Sequence, residues 1–207
     1  MNIILGSSSE RRKIFFSLLF KDFFVIEPSC DEKTFGSVKK TVYENSKNKL
    51  FSILESKDYK DNFQVSKGKD VLIVTADTVV YKNKKIYLKP SSPEEAFHIL
   101  KSLNGKKHSV FSGVSLFFKN KLYYFYDKTD IYFNFLSDNI LKNYINTFEP
   151  FDAAGAYKIQ GAGSLLVKRI KGSITNVAGF PVEKFLKYYN RFICYSKEEV
   201  SIVSTTY

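Results

Sequence analysis

The stretch VLIVTAD, residues 71–77, constrains the fold of this chain more than any other part of its sequence. It is a nearly continuous apolar run that ends in a carboxylate, Asp77. Such a run is typical of a strand buried on both faces, as in α/β proteins whose sheet is covered by helices. A carboxylate there commonly lies at the carboxyl edge of the sheet, where open α/β sheets bind ligands. Asp77 is therefore a candidate to hold a metal ion or orient a water molecule, or it caps the next turn.

Alternating patterns on both sides of this strand predict one α/β domain with a mixed sheet over residues 1–207. Strands are predicted at 2–5, 22–29, 78–90 (a hairpin turning near Asn83), 108–118, 122–135 and 165–172. Helices are predicted at 9–20, 38–56, 91–105, 137–147 and from about 181 onward. Residues 57–70 read as a polar loop, and 149–163 as an ordered loop with some helix.

Two of the predicted helices carry more detailed expectations. The helix at 91–105 has Ser92 as its cap, Pro93 in its first turn and Glu95 to complete a capping box. In the helix at 9–20, we expect the apolar face to be formed by four side chains. These are Ile14, Phe15, Leu18 and Leu19.

The composition indicates a globular protein of the cytoplasm. A chain of 207 residues buries enough surface to need no disulfides. No apolar run approaches the length of a membrane span, and the N-terminus lacks the pattern of a signal peptide. The two cysteines, Cys30 and Cys194, lie far apart in sequence, which favours a reducing compartment.

The net charge of +11 raises three possibilities. The lysines are spread along the chain, which favours an ordinary solvated surface. Steering of a polyphosphate ligand and binding of nucleic acid are the alternatives. Because no arginine-rich stretch is present, we expect no nucleic-acid partner.

The segment ILGSSSERRK, residues 4–13, is a candidate anion site. It joins a strand to a helix through a serine turn, and helix N-termini attract phosphate. Ser7 and Ser9 offer hydroxyls, and Arg11 and Arg12 offer the bidentate geometry that suits phosphate. Taken alone, the segment is better explained as an ordinary serine-capped helix with solvated arginines.

Four further polar residues are candidates for the site, although Glu32, Lys49 and Lys89 would each be assigned to the surface if taken singly. Glu32 is a possible second carboxylate, and Lys49 and Lys89 are possible phosphate partners. Gln160, inside KIQGAG, either reads a base edge or bonds to the backbone.

Four segments, in order, resemble those of the Maf family of nucleoside triphosphate pyrophosphatases. LGSSSERRKI resembles the family's S-x-S-P-R-R, and VTADTVVY resembles G-A-D-T-V-V. LKPSSPEEAFHILKSLNGKKHSVFSGV resembles the G-K-P segment, a helix, and S-G-x-x-H-x-V-x-T-G-V. DAAGAYKIQGAGSLLVKRIKGSITNVAGFP resembles D-K-A-G-A-Y-G-I-Q-G-x-G and S-N-V-x-G-L-P.

This resemblance implies a fold, a reaction and a set of roles. The fold is an elongated mixed sheet flanked by helices, with two lobes around a cleft and often a homodimer. The reaction is hydrolysis of a nucleoside triphosphate to monophosphate and pyrophosphate with a divalent cation (Mg²⁺, Mn²⁺ or Co²⁺), and the A-D-T and Y-x-I-Q-G pair resembles the dTTP/UTP-preferring subgroup.

The implied site falls into four roles. Asp77 matches the proton acceptor, and Asp77 with Glu32 would hold the metal. Arg11, Thr78 and Gln160 match the positions tied to substrate choice. The phosphate-binding positions are Ser7, Ser9, Arg12, Lys49 and Lys89.

Three departures from the family pattern bear on affinity. Glu10 stands where the proline of S-x-S-P is usual, Leu88 replaces the glycine before Lys-Pro, and Ala153 replaces the lysine of D-K-A-G-A-Y. None of them removes a proposed catalytic side chain.

The alternative function is a nucleotide-binding regulator of cell division or septum formation without significant turnover.

Overall fold

A computed structural model describes residues 1–63 and 70–203, with side chains described as far as residue 192. Its centre is a seven-stranded mixed sheet in the order β2-β1-β3-β5-β6-β7, with β4 paired to the end of β3. The strands are β1 (Asn2–Gly6), β2 (Phe24–Val25), β3 (Val71–Lys82), β4 (Lys85–Tyr87), β5 (Lys107–Phe118), β6 (Lys121–Phe133) and β7 (Val167–Lys171). The predicted fold class is therefore confirmed.

Strand β3 lies at the centre of the sheet, as its apolar sequence predicts. It runs parallel to β1, with Ile4 opposite Ile73, and antiparallel to β5, with Asp77 opposite Gly113. The predicted strand at 71–77 and the first arm of the predicted hairpin form one continuous strand that ends at Lys82. The hairpin then turns at Asn83 and Lys84, both with positive φ.

Helices cover both faces of the sheet. They are α1 (Glu10–Leu19), α2 (Val38–Glu55), α3 (Lys57–Asn62), α4 (Pro93–Leu103), α5 (Asp138–Ile145), α6 (Ile174–Val177) and α7 (Val182–Val203). Short 3₁₀ turns occupy Glu149–Asp152, Ala154–Ala156 and Gly161–Leu166. None of the helices among the described residues has the length and apolar character that crossing a membrane requires.

Two hydrophobic cores at opposite ends of the long strands define two lobes. In the first, α1 and α7 pack against β1, β3 and β5 through an aromatic cluster that includes Phe16, Phe180 and Phe185. In the second, α4 and α5 pack around the far ends of β5 and β6. There, a buried His108 Nε2 lies 2.9 Å from Tyr157 Oη.

The helix starts follow the predicted capping in part. Ser92 Oγ accepts from the Glu95 amide at 3.2 Å, and the Glu95 carboxylate accepts from the amide of Ser91 at 2.8 Å. The box thus closes one residue earlier than in the standard motif. Ser137 stands at the cap of α5, but its side chain makes no capping hydrogen bond.

Three of the sequence expectations hold only in part. Phe15 and Leu19 pack against the aromatic core as predicted. Ile14 and Leu18 are instead 58% and 78% exposed, because Arg12 and Phe16 form the inward face of α1. The predicted strand at 22–29 pairs with β1 only at Phe24–Val25. The predicted loop at 57–70 begins with the helix α3, and residues 64–69 lie outside the described part of the chain.

Candidate active site

A cleft of about 190 Å³ lies between the two lobes, at the carboxyl end of β1 and the middle of β3. Every residue that the sequence places in the site lines this cleft. They are Ser7, Ser9, Arg11, Arg12, Glu32, Lys49, Asp77, Thr78, Lys89 and Gln160. The fold therefore brings together residues that are up to 153 positions apart in sequence, from Ser7 to Gln160.

Asp77 forms the floor of the cleft and is only 2% exposed. Its Oδ2 accepts a hydrogen bond from Asn45 Nδ2 at 3.0 Å, and its Oδ1 lies 2.9 Å from Lys49 Nζ. The Lys49 ammonium also contacts Glu32 Oε1 at 2.5 Å. Asn45 and Lys49 both belong to α2, so this helix fixes both oxygens of Asp77, which does not cap the next turn. Each oxygen keeps a free lone pair.

Lys49 also governs the charge of Glu32. Partial burial alone would raise the pKa of this carboxyl, but the adjacent Lys49 ammonium outweighs burial and leaves the pKa below its usual range. Glu32 therefore stays ionised near neutral pH beside Asp77.

Arg12 is buried beneath the serine turn, not solvated. Its Nε donates to the Gly179 carbonyl at 2.9 Å, Nη1 donates to Ser7 Oγ at 3.3 Å, and Nη2 donates to Thr78 Oγ1 at 3.2 Å. Burial lowers the pKa of Arg12, against the attraction of Asp77 and Glu32. Since arginine starts from so high a value, the guanidinium remains a fixed positive charge.

The serine turn presents its donors to the cleft. Ser7 Oγ already accepts from the Ser9 amide at 3.1 Å and from Arg12, so its own hydrogen is directed elsewhere. Ser9 stands at the cap of α1, but its side chain makes no capping hydrogen bond. The Ser9 hydroxyl is thereby left for a ligand at the positive end of the helix dipole.

Arg11 and Asp152 join the two walls of the cleft. Arg11 Nε donates to the Ala178 carbonyl at 3.2 Å, and its Nη2 donates to the Asp152 carbonyl at 3.0 Å. Its Nη1 lies 3.3 Å from the Asp152 carboxylate. That carboxylate also meets Lys89 Nζ at 3.2 Å and Lys158 Nζ at 3.4 Å.

The remaining predicted residues lie on the same walls. Thr78 Oγ1 is 2.8 Å from Ser112 Oγ and 3.2 Å from the Gly179 carbonyl, so its hydroxyl belongs to a protein network. Gln160 is exposed at the start of the last 3₁₀ turn. The roles of both residues in the choice of substrate stay predictions.

One of the three departures has a direct structural explanation. The Glu10 carboxylate pairs with Lys13 Nζ at 2.8 Å on the exposed side of α1, and it is not among the residues that line the cleft. At Leu88, the backbone carbonyl accepts from the Gly155 amide at 3.1 Å, which fastens the loop of residues 149–163 (the 150s loop) to the segment before Lys89. This bond does not depend on the side chain, and nothing in the structure explains the leucine. Gly155 has φ +74, and a Cβ there would lie 2.6 Å from Val80, so only glycine suits this contact.

Sequence reasoning missed three polar residues of the site. Lys158 lines the cleft, whereas Asn45 and Asp152 contact residues that line it. Asn45 lies four positions before Lys49 on α2, so helical spacing alone would have placed both on one face. Asp152 stands at the head of the DAAGAY segment, and only its tertiary contacts single it out.

The donor set suits a metal ion bound largely through a substrate. No group of three or more metal-ligating side chains occurs within residues 1–63 and 70–192. Asp77 and Glu32 supply two carboxylates, both in contact with the cation of Lys49. Mg²⁺ is commonly held by one or two carboxylates plus phosphate oxygens, so this pair fits such an ion when a phosphate chain is bound.

Comparison with known sequences decides the family. The family model described as "Maf-like protein" matches residues 2–192. The chain belongs to the Maf family. A protein of Thermosipho africanus named dTTP/UTP pyrophosphatase is 41% identical, across 89% of this chain and 90% of its own length. Proteins of the same name from Clostridium perfringens and Clostridium tetani are each 38% identical, across 90% and 89% of this chain and 95% and 94% of their own lengths.

Proposed function

We propose that this Maf protein hydrolyses dTTP and UTP to the nucleoside monophosphate and pyrophosphate. A water molecule attacks the α-phosphorus, and the bond from that phosphorus to the bridging oxygen breaks. The observation that carries the proposal is the buried Asp77, fixed by Asn45 and Lys49 in a cleft lined with cations. The names of the Thermosipho and Clostridium relatives support the choice of substrate.

Asp77 orients the attacking water and accepts its proton. The Asn45 amide and the Lys49 ammonium each occupy one oxygen of the carboxylate, which fixes the direction of the remaining lone pairs. General-base help of this kind contributes roughly 10²–10⁴-fold to a rate. A site that only binds nucleotides has no use for a buried group of this kind, and this favours catalysis over the regulator function.

The cations stabilise the charge that develops on the departing pyrophosphate. Arg12 is held rigidly by three acceptors, so it needs no reorganisation when charge moves along the phosphate chain. Arg11, Lys49 and Lys89 complete the positive walls. Ser7, Ser9 and the backbone amides at the start of α1 fix the phosphate oxygens.

A divalent cation, Mg²⁺, Mn²⁺ or Co²⁺, completes the proposed site through Asp77, Glu32 and substrate phosphate oxygens. When bound, such an ion lowers the pKa of water and polarises a phosphoryl group. Thr78 and Gln160 are proposed to face the pyrimidine, with Arg11 beside them.

The biological role that follows is the removal of unwanted or modified pyrimidine nucleotides before polymerases use them. We propose a cytoplasmic location, where these nucleotides occur. The homodimer that the family resemblance implies stays a prediction, as does the absence of a nucleic-acid partner.

The test is a panel of canonical and modified triphosphates, each assayed for pyrophosphate release with Mg²⁺, Mn²⁺ or Co²⁺. We expect the highest kcat/KM for dTTP and UTP, and none without a divalent cation. Release from purine triphosphates alone would contradict the pyrimidine assignment. Tight nucleotide binding with no release from any triphosphate would favour the regulator.

A further inference from the structure

The 150s loop carries a lysine at an unexpected position. The family motif given above reads D-K-A-G-A-Y-G-I-Q-G, whereas this chain reads D-A-A-G-A-Y-K-I-Q-G. Relative to the motif, a lysine is absent at Ala153 and an additional one stands at Lys158. The number of positive charges in the segment is therefore unchanged while their position differs.

The structure places the additional lysine in the cleft. Lys158 Nζ lies 3.4 Å from Asp152 Oδ2, and its side chain, 26% exposed, lines the cavity. Its backbone is fixed on both sides. The amide donates to Tyr144 Oη at 3.0 Å, and the carbonyl packs so closely on Gly163 that a Cβ there would lie 2.0 Å away.

Asp152 gathers more positive charge than it can neutralise. Its single carboxylate contacts Arg11, Lys89 and Lys158, which leaves a net charge of +2 (three cations minus one anion). Partial burial alone would raise the pKa of Asp152, but these cations, Lys89 foremost, outweigh it and keep the pKa below its usual range. Ala153 is buried and adds no charge of its own. The cluster is therefore an excess of cations held in place at the edge of a phosphate cleft.

We propose that Lys158 is a phosphate-binding residue of this chain and provides, from a different position, the charge that the family motif carries at position 153. It binds the phosphate chain beside Lys89, on the wall opposite the serine turn. This assignment rests on the proposed function, since it deepens the description of the same site. Asp152 is the positioning residue that holds both lysines before the substrate arrives.

The experiment compares Lys158→Gln, Lys158→Arg and the control Lys168→Gln, which removes an exposed lysine of β7. Two quantities are measured, the KM and kcat for UTP with Mg²⁺ and the Kd for inorganic tripolyphosphate by calorimetry. We expect Lys158→Gln to raise both KM and Kd by about 10-fold while kcat changes less than about twofold, because one charged contact is lost. Lys158→Arg and Lys168→Gln should stay close to the unmodified protein.

A further variant tests the exchange of positions. The double substitution Ala153→Lys with Lys158→Gly should recover most of the affinity lost in Lys158→Gln. A double variant with an unchanged melting temperature but the KM of Lys158→Gln would refute the exchange.

The two proposals fail in distinguishable ways. An unchanged Kd and KM in Lys158→Gln would overturn the role of Lys158 while turnover remained intact. A fall in kcat alone, not rescued by arginine, would also overturn it, since that pattern indicates a structural effect. If no triphosphate released pyrophosphate, the proposed function would fail, and the tripolyphosphate Kd would still decide the role of Lys158.

Discussion

At the scale of single residues, the side-chain amide of Asn45 fixes one of the two oxygens of Asp77. It donates from α2 at 3.0 Å, and both residues are buried. An amide provides this hydrogen bond without adding a second charge beside the Lys49 ammonium. The orientation of the proposed base therefore depends on a residue that contacts it from behind.

We predict that Asn45→Ala lowers kcat for UTP by about 10-fold or more, because a hydrogen bond to a charged group is worth roughly 1.5–3 kcal/mol. The KM should change little, since Asn45 contacts Asp77 and not the cleft itself. Steady-state kinetics measure both constants. Lys47→Ala, on the outer side of the same helix, is the matched control and should leave kcat unchanged. An unaltered kcat in Asn45→Ala would mean that Asp77 needs no such orientation.

At the scale of elements, α1 presents an unusual inward face. It buries the charged Arg12 together with Phe16 and leaves Ile14 and Leu18 in solvent. The hydrophobic pattern of the segment therefore misled the prediction. A buried arginine is tolerated here because all of its nitrogens meet acceptors that come from the serine turn, β3 and the segment before α7.

The first position of α1 provides a test of where the phosphate site ends. Glu10 points to Lys13, and Ser9 before it has φ −73 and ψ 116, a backbone that accepts a following proline. We predict that Glu10→Pro leaves kcat/KM for UTP within about twofold and the free energy of unfolding within about 0.5 kcal/mol. Kinetics and urea unfolding check both. A large gain in affinity would show that the Glu10 carboxylate opposes the substrate.

The lobe around α4 and α5 contains a buried histidine with a measurable pH signature. Burial lowers the pKa of His108 from 6.5 to about 3. Below pH 6.5, His108 is protonated in the unfolded chain but stays neutral in the folded protein. Its contribution to the free energy of unfolding is therefore fully present above pH 6.5 and is lost as the pH falls toward 3. From pH 7 to pH 5 this residue alone should remove about 2 kcal/mol.

We predict that His108→Gln, although less stable at pH 7, loses less stability on acidification than the unmodified protein. Urea unfolding at pH 7 and pH 5 measures the difference. Equal losses in the two proteins would contradict the assignment of the acid sensitivity to His108.

Several elements could be predicted from the sequence because their signals are local. The apolar run of β3, the serine cap of α4 and the long amphipathic α2 all lie where predicted. The brief pairing of β2 and the burial of Arg12 depend on contacts between distant segments. The same holds for the site. The residues that belong to sequence motifs could be predicted, whereas Asp152 and Lys158 are recognised only from the contacts that the fold creates with Arg11 and Lys89.

At the scale of the whole molecule, part of the positive charge behind the net +11 is concentrated in the cleft. Arg11, Arg12, Lys49, Lys89 and Lys158 all line it, whereas many other lysines are exposed across the sheet and helices. A surface of scattered charge attracts polyanions weakly, while a concentrated cleft selects a short polyphosphate.

We therefore predict no binding of random single- or double-stranded DNA at about 0.2 M salt, since dispersed contacts lose affinity steeply with salt. Fluorescence anisotropy with labelled oligonucleotides measures this. Binding that persists at this salt concentration would indicate a nucleic-acid partner and a different origin of the net charge.

The central claim is that Asp77 activates water in a triphosphate cleft, and Asp77→Asn tests it most directly. The substitution keeps the shape of the side chain and removes its basicity. With dTTP or UTP and a divalent cation, we predict that kcat falls by roughly 10²–10⁴-fold while inorganic tripolyphosphate still binds. Near-full pyrophosphate release by the folded Asp77→Asn protein would contradict the account.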